Sequence, residues 1–205
     1  MGNKKVDRRI VRTRKVLKDA FISLIQEKEV EAISVTDIVN RSEVNRSTFY
    51  AHFQDKEDLI NCLIDELIME LIDSFEISHL SLIKPEKDFP IQAIEEMFAF
   101  VFENADYFKS LLYTTKVPQF TPELYANLYK YAVAKINELQ EADYELGIHV
   151  GFYANYLAST FISFVHYWLF DKEQKYTPTY IANEYIKVLI SNPLASYVRQ
   201  RTMAK

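Results

Sequence analysis

Glycine and proline are scarce in this chain of 205 residues, three Gly and six Pro against 14 Phe and 14 Tyr. A many-stranded fold needs turn residues at every hairpin, so the shortage disfavours sheets and favours helices. Cysteine is scarcer still. Cys62 alone cannot close an internal disulfide, and the basic N-terminal stretch runs into no apolar signal core, so a reducing cytoplasm is the expected setting. Gly147 to Phe170 carries no formal charge over 24 residues. His149, Asn155, Ser159, Thr160, Ser163 and His166 make that run too polar for lipid, so no membrane span is expected. A Gly-rich phosphate loop, metal-ligand spacing and a Ser or Cys nucleophile with a recognisable partner are all lacking, which argues against an enzyme, a metal site or a cofactor. His149 and His166, 17 positions apart on one expected helix, are too distant to share a metal and read as packing or interface residues.

What is present is unevenly distributed. The net charge is -5, yet residues 1 to 18 hold eight basic side chains (Lys4, Lys5, Arg8, Arg9, Arg12, Arg14, Lys15, Lys18) against Asp7. Residues 57 to 205 hold 12 basic and 21 acidic ones. One end of the molecule is built to meet a polyanion, and the other is not.

Apolar residues Val16, Leu17, Ala20, Phe21, Leu24 and Ile25 recur at three and four positions, which predicts an amphipathic helix from Arg9 to about Lys28 with a basic start. Ser34-Val-Thr-Asp37 is a capping box for a short second helix ending near Arg41 or Ser42. Asn45 can cap a third, in which Phe49 and Phe53 face inward and Arg46, Ser47, Thr48, Tyr50 and His52 face elsewhere. Asp55 then caps a long fourth helix carrying Leu59, Ile60, Leu63, Ile64, Leu67, Ile68, Leu71 and Ile72. His79 to Pro90 loses periodicity and reads as a connection. Beyond it, helices are expected over 90–104, 105–114, Thr121 to about Glu141 with Pro122 first, 145–171, and Thr177 to Ser191 with Pro178 first. Val117-Pro118 and Asn192-Pro193 mark breaks. The expected fold is all-α, with an N-terminal three-helix module over 1–58 joined by a long helix to a larger helical domain over 59–205.

Three short helices, the last two separated by a turn of three or four residues, make a helix-turn-helix whose last helix can lie in the major groove. The chemistry fits that task. Free N–H groups at the start of the third helix attract phosphate, and Ser47 and Thr48 add hydroxyl donors there. Tyr50 offers a rigid ring with a phenolic donor, and Lys56 a point charge. Arg46 is best suited to read a base, because its planar fork matches the two acceptors of guanine.

Ser47-Thr-Phe-Tyr-Ala-His-Phe53 followed by Lys56-Glu-Asp-Leu59 resembles the pattern of the TetR/AcrR family of bacterial transcriptional regulators, over residues 9 to 60. The resemblance implies that Arg46, Ser47, Thr48, Tyr50 and His52 line the operator face, with Thr36 and Lys56 as outer contacts and Ser34, Val35 and Asn45 near the phosphates. Two positions depart from the pattern. Glu43 stands where glycine is common, which requires a left-handed or adjusted backbone at a cost of about 1 kcal/mol. Val39 stands where the second helix commonly has a small residue.

After about residue 75 the resemblance weakens. It implies a helical regulatory domain, dimerisation through the last long helices, and a cavity for a small-molecule effector. The C-terminal part, with Trp168-Leu-Phe-Asp171 and Tyr176-Thr-Pro178, is similar to a domain of Gram-positive regulators that include proteins related to the dihydroxyacetone-kinase regulators. Helix 145–171 is apolar nearly all round, from Leu146 to Trp168, and needs neighbours on two sides. Gly151, Ala154 and Ala158 permit close approach, and with Ile162, Ile181, Tyr185 and Val188 they are the expected homodimer interface. Phe98, Phe102, Tyr107, Phe108, Tyr113, Tyr125 and Tyr129 are the expected effector-pocket residues, with core packing as their competing use. The implied function is a repressor that binds a palindromic double-stranded operator as a dimer and is released by an effector. The alternative is a coactivator or partner-binding protein of the same fold.

Overall fold

The computed structural model describes residues 8–76, 91–141, 147–171 and 176–190. Among them it has nine α-helices, one 3-10 turn and no strand. The order is α1 (Arg8–Glu27), the turn Val30–Ala32, α2 (Val35–Ser42), α3 (Arg46–His52), α4 (Lys56–Glu76), α5 (Ile91–Glu103), α6 (Ala105–Leu111), α7 (Phe120–Glu141), α8 (Val150–Phe170) and α9 (Pro178–Ile190). The expected connection His79–Pro90, the break at Asn192-Pro193, Leu146, Lys4 and Lys5 lie outside the described residues.

Local caps fix most helix starts. Ser34 and Asp37 form the reciprocal box: the Asp37 N–H donates to the Ser34 hydroxyl at 3.2 Å, and the Ser34 N–H donates to the Asp37 carboxylate at 2.8 Å. The Ser34 backbone N–H, then its hydroxyl, then the Lys28 ammonium hold the Asp37 carboxyl well below the usual carboxylate range. Asn45 Oδ1 accepts from the Ser47 N–H at 3.1 Å, and Asp55 Oδ1 from the Asp58 N–H at 2.7 Å. Pro178 opens α9 as its first residue, where the missing N–H costs nothing.

Two of the starts that differ from the sequence expectation have a visible cause. α7 begins at Phe120 rather than Thr121, because the Phe120 N–H closes a turn onto the Val117 carbonyl at 3.2 Å. Pro122 is then its third residue, still within the first turn, whose N–H groups have no partner inside the helix. α8 begins at Val150 rather than 145, since the His149 ring nitrogen Nδ1 accepts the Gly151 N–H at 3.2 Å and ends the non-helical segment. His149 is thus an exposed N-cap and not a packed histidine.

The chain divides into two compact units. One contains the residues up to Met69 together with Asp106–Leu124, and the other contains Glu70–Ala105 and the residues from Tyr125 onward. In the first, α1 packs against α2 and α3. Its core buries Leu17, Phe21, Ile25, Ile38, Phe49, Phe53, Leu59 and Leu63, with Phe108, Leu111 and Phe120 from the α6–α7 segment. That segment is tied to α1 by polar bonds. Lys116 Nζ donates to the Ile25 carbonyl at 2.7 Å, satisfying a group that the end of α1 leaves open, and the Tyr107 hydroxyl donates to Asp19.

In the second unit α5 lies along α9, and α8 also packs on α9. Phe98 is fully buried there, with ring centroids 5.3 Å from Phe161, 5.6 Å from Tyr185 and 5.9 Å from Trp168. The polar handles of this cluster are satisfied. Trp168 Nε1 donates to the Tyr176 carbonyl at 3.1 Å, and the Tyr185 hydroxyl donates to the Leu157 carbonyl at 3.2 Å. Burial pushes the Tyr185 phenol far up, so it stays a donor.

Candidate nucleic-acid interface

A seven-residue helix has little stability of its own, so α3 takes its position from what it is fastened to. Phe49 and Phe53 supply the first fastening. Both are buried, with ring centroids 5.8 Å apart. Arg14 of α1 supplies the second: its guanidinium carbon lies 4.6 Å from the Phe53 ring centroid, and Nη1 donates to the carbonyl of His52, the last residue of α3, at 3.3 Å. Its other nitrogen, Nη2, donates to Glu66 of α4 at 2.6 Å, and the largely buried Lys18 ammonium bonds the same carboxylate. Burial alone pushes the Glu66 carboxyl up, but the hydrogen bonds from Lys18 and Arg14 outweigh it and leave the group below its usual range.

With Phe49 turned inward, Arg46, Ser47 and Tyr50 are exposed on the opposite side of α3, while Thr48 and His52 are half-buried. Thr36 is exposed in the first turn of α2, and Asn45 is exposed between the two helices. The structure therefore brings seven of the eight expected DNA contacts onto α2, α3 and the turn between them. Glu43 adopts the left-handed conformation that the turn demands, with φ 54° and ψ 28°, and Val39 is buried in the space expected to hold a smaller residue.

Lys56 is a correction. Its ammonium donates to the Val30 carbonyl at 2.9 Å and its side chain is only 14% exposed, so it closes the 3-10 turn instead of reaching outward. The basic cluster also divides. Arg14 and Lys18 are spent on Glu66, whereas Arg8, Arg9, Arg12 and Lys15 are exposed along the start of α1. Arg41 likewise closes on Glu27, with two bonds of 2.9 and 2.7 Å.

Two family models match the chain. Residues 18–63 fit that of the bacterial regulatory proteins of the tetR family, and residues 88–191 fit that of a transcriptional regulator C-terminal region. The chain belongs to the TetR family. It is 27% identical over 190 residues to the uncharacterized HTH-type transcriptional regulator YxbF of Bacillus subtilis strain 168, covering 91% of this chain and 47% of that one. It is 36% identical over 61 residues to DhaS, the HTH-type dhaKLM operon transcriptional activator of Lactococcus lactis, covering 30% of this chain and 33% of that one. The chain thus spans half or less of the length of these curated relatives. The solved structure of a TetR transcriptional regulator from Streptococcus agalactiae 2603V is 26% identical with a TM-score of 0.59, over 89% of this chain and 96% of that one.

In this TetR-family chain the residues expected to line a pocket divide between the two units. Tyr107, Phe108 and Tyr113 belong to the first unit, where Phe108 packs on Phe120 in the core and Tyr113 is exposed. Phe98, Phe102, Tyr125 and Tyr129 belong to the second. There Phe102 is exposed and stacked on Trp168, and Tyr125 stacks on Tyr129 while donating its hydroxyl to Asn155 at 2.8 Å.

The expected dimer residues also need correction. Ala154, Ala158, Ile162, Ile181 and Tyr185 are buried within the single chain, Gly151 is half-buried, and Val188 is exposed. Small residues on α8 are placed where its own neighbours come close. A β-carbon at Gly151 would lie 3.2 Å from the Tyr129 hydroxyl. The outward face of α8 carries Phe152, Tyr156, Tyr167 and Phe170.

Sequence reasoning missed Arg14 and Glu66, which bridge α1, α3 and α4 from positions 52 residues apart and leave no local signal. Their importance has a pH signature. A carboxylate held below its unfolded value contributes stability above that value and loses it as the pH falls through the folded value. Glu66→Gln should therefore cost about 1 kcal/mol at pH 7, since the carboxylate is 38% exposed and water screens its two ion pairs. In urea unfolding followed from pH 7 to pH 3, the gap to wild type should close below about pH 4.3.

Proposed function

We propose that this chain binds a palindromic double-stranded DNA operator as a homodimer, with α3 of each subunit in the major groove. The observation that supports this reading most directly is the polar, exposed face of α3, held by Phe49, Phe53 and Arg14 on a rigid base. Arg46 reads a base edge. Thr36, Asn45, Ser47, Thr48 and His52 position the helix on sugar and phosphate, with Tyr50 on the same face, over a module spanning residues 1–58. Arg8, Arg9, Arg12 and Lys15 take neighbouring phosphates, the role first expected of Lys56. The protein works where the chromosome is, in the cytoplasm, and its role is regulatory and not enzymatic.

The second unit is the seat of dimerisation and of effector sensing. A twofold contact through α8 and α9 would bury Phe152 (72% exposed), Tyr156, Tyr167 (63% exposed) and Phe170 with Tyr180 and Val188. Tyr156 already links the two helices, its hydroxyl donating to the Val188 carbonyl at 3.2 Å. Phe102, Tyr125 and Tyr129 offer aromatic faces and hydroxyls to a small molecule, and its binding releases the operator. The second reading, activation in place of repression, is favoured by the likeness to DhaS, which is named an activator.

The salt dependence of operator affinity tests the DNA reading. In mobility-shift titrations from 50 to 200 mM salt, wild type should lose affinity steeply, by about 0.9 in log–log slope for each phosphate contacted. Arg12→Ala should lower the slope by about 1, whereas Lys56→Ala should leave the slope alone and lower thermal stability instead. For the dimer, Phe152→Glu with Tyr167→Glu should convert the sedimenting species to monomers without loss of helical circular dichroism.

A further inference from the structure

Two arginines in the DNA-binding unit are locked by carboxylates. Arg41 closes on Glu27 through both terminal nitrogens, and Arg14 is held by Glu66, the His52 carbonyl and the Phe53 ring. Arg46 differs. Among the described residues it meets no carboxylate, and its two recorded contacts both go to one side chain four positions along α3: its guanidinium carbon lies 5.7 Å from the Tyr50 ring centroid, and Nη2 donates to the Tyr50 hydroxyl at 3.4 Å. A guanidinium over an aromatic face at this distance is attracted by the ring quadrupole. The spacing i, i+4 puts both side chains on one strip of the helix.

The ring that Arg46 rests on is itself braced. Phe49, which is fully buried, meets Tyr50 edge to face, with ring centroids 5.4 Å apart and planes at 86°. A chain of contacts therefore runs from the core through Phe49 and Tyr50 to the outward fork of Arg46. A long arginine side chain loses rotamer freedom when it reads a base, and that loss is smaller when the stem is held beforehand.

We propose that Tyr50 is a positioning residue for sequence readout, its ring holding the Arg46 guanidinium over α3 so that the fork meets a guanine edge already oriented. The proposal rests on the reading of Arg46 as the base contact given under Proposed function. It assigns specificity to the ring of Tyr50 and not to its hydroxyl, and it separates Tyr50 from Ser47 and Thr48, whose hydroxyls serve phosphate and carry no sequence information.

The test uses full-length protein and palindromic duplexes that wild type recovers from a randomised DNA pool, together with every single-base variant of the recovered site. Arg46→Ala should lower discrimination at one base pair of each half-site by about fivefold or more. Tyr50→Leu should lower discrimination at that same base pair by about two- to fivefold, and Tyr50→Phe should preserve it. Thermal midpoints of both Tyr50 variants should match wild type, since the side chain is exposed. Equal loss of affinity for all duplexes in Tyr50→Leu, with discrimination intact, would make Tyr50 a phosphate contact and overturn the proposal. So would a Tyr50→Phe variant as relaxed as Tyr50→Leu. If Arg46→Ala leaves every base preference unchanged, or wild type recovers no site, the reading under Proposed function fails and takes this one with it. An effect of Arg46→Ala beside a silent Tyr50→Leu sinks the positioning role alone.

Discussion

A helix of seven residues cannot hold its own shape in water, and the surface proposed to read DNA depends on the means by which α3 is made rigid. Burial of Phe49 and Phe53 gives α3 its inward face, and the grip of Arg14 on the His52 carbonyl and the Phe53 ring fixes its end. Arg14 can do this because Glu66 holds it from α4. The price is a partly buried carboxylate, offset by two cations in direct hydrogen-bonding contact. Once α3 is fixed, its outward residues need no further support from the fold except the bracing of Tyr50 by Phe49.

Much of this was legible in the sequence because its causes are local. A capping box, an Asn cap and an Asp cap act within three residues, so the starts of α2, α3 and α4 could be read directly, and the family pattern in 47–59 follows from the same short spacings. The start of α8 was not legible, because His149 caps through an imidazole nitrogen, outside the usual Ser, Thr, Asp and Asn set. Lys56 reads as an outward charge in the sequence because the Val30 carbonyl that accepts its hydrogen bond lies 26 residues earlier in the chain. Arg14 and Lys18 were counted with the basic cluster for the same reason.

The orientation of α8 shows a second limit. A helix apolar on several faces does not announce which face is internal. Gly151, Ala154 and Ala158 invite close approach, and sequence reasoning assigned that approach to a second subunit. In the structure it is met within the chain, by Tyr129 at Gly151 and by full burial of Ala154 and Ala158. The aromatic residues left outside, Phe152, Tyr156, Tyr167 and Phe170, are larger and look less like an interface motif in the sequence. They are nevertheless among the large apolar side chains that the described residues leave exposed.

On the proposed function, α2 and α3, presented by α1 and α4, form the surface that meets DNA. Hydrogen–deuterium exchange of the full-length protein, with and without a duplex that it binds, tests this directly. New protection should concentrate in residues 34–53 and the first turns of α1, with little change across α5 and α9. Protection confined to the second unit, or none anywhere on the helix-turn-helix while the duplex is bound, would contradict it.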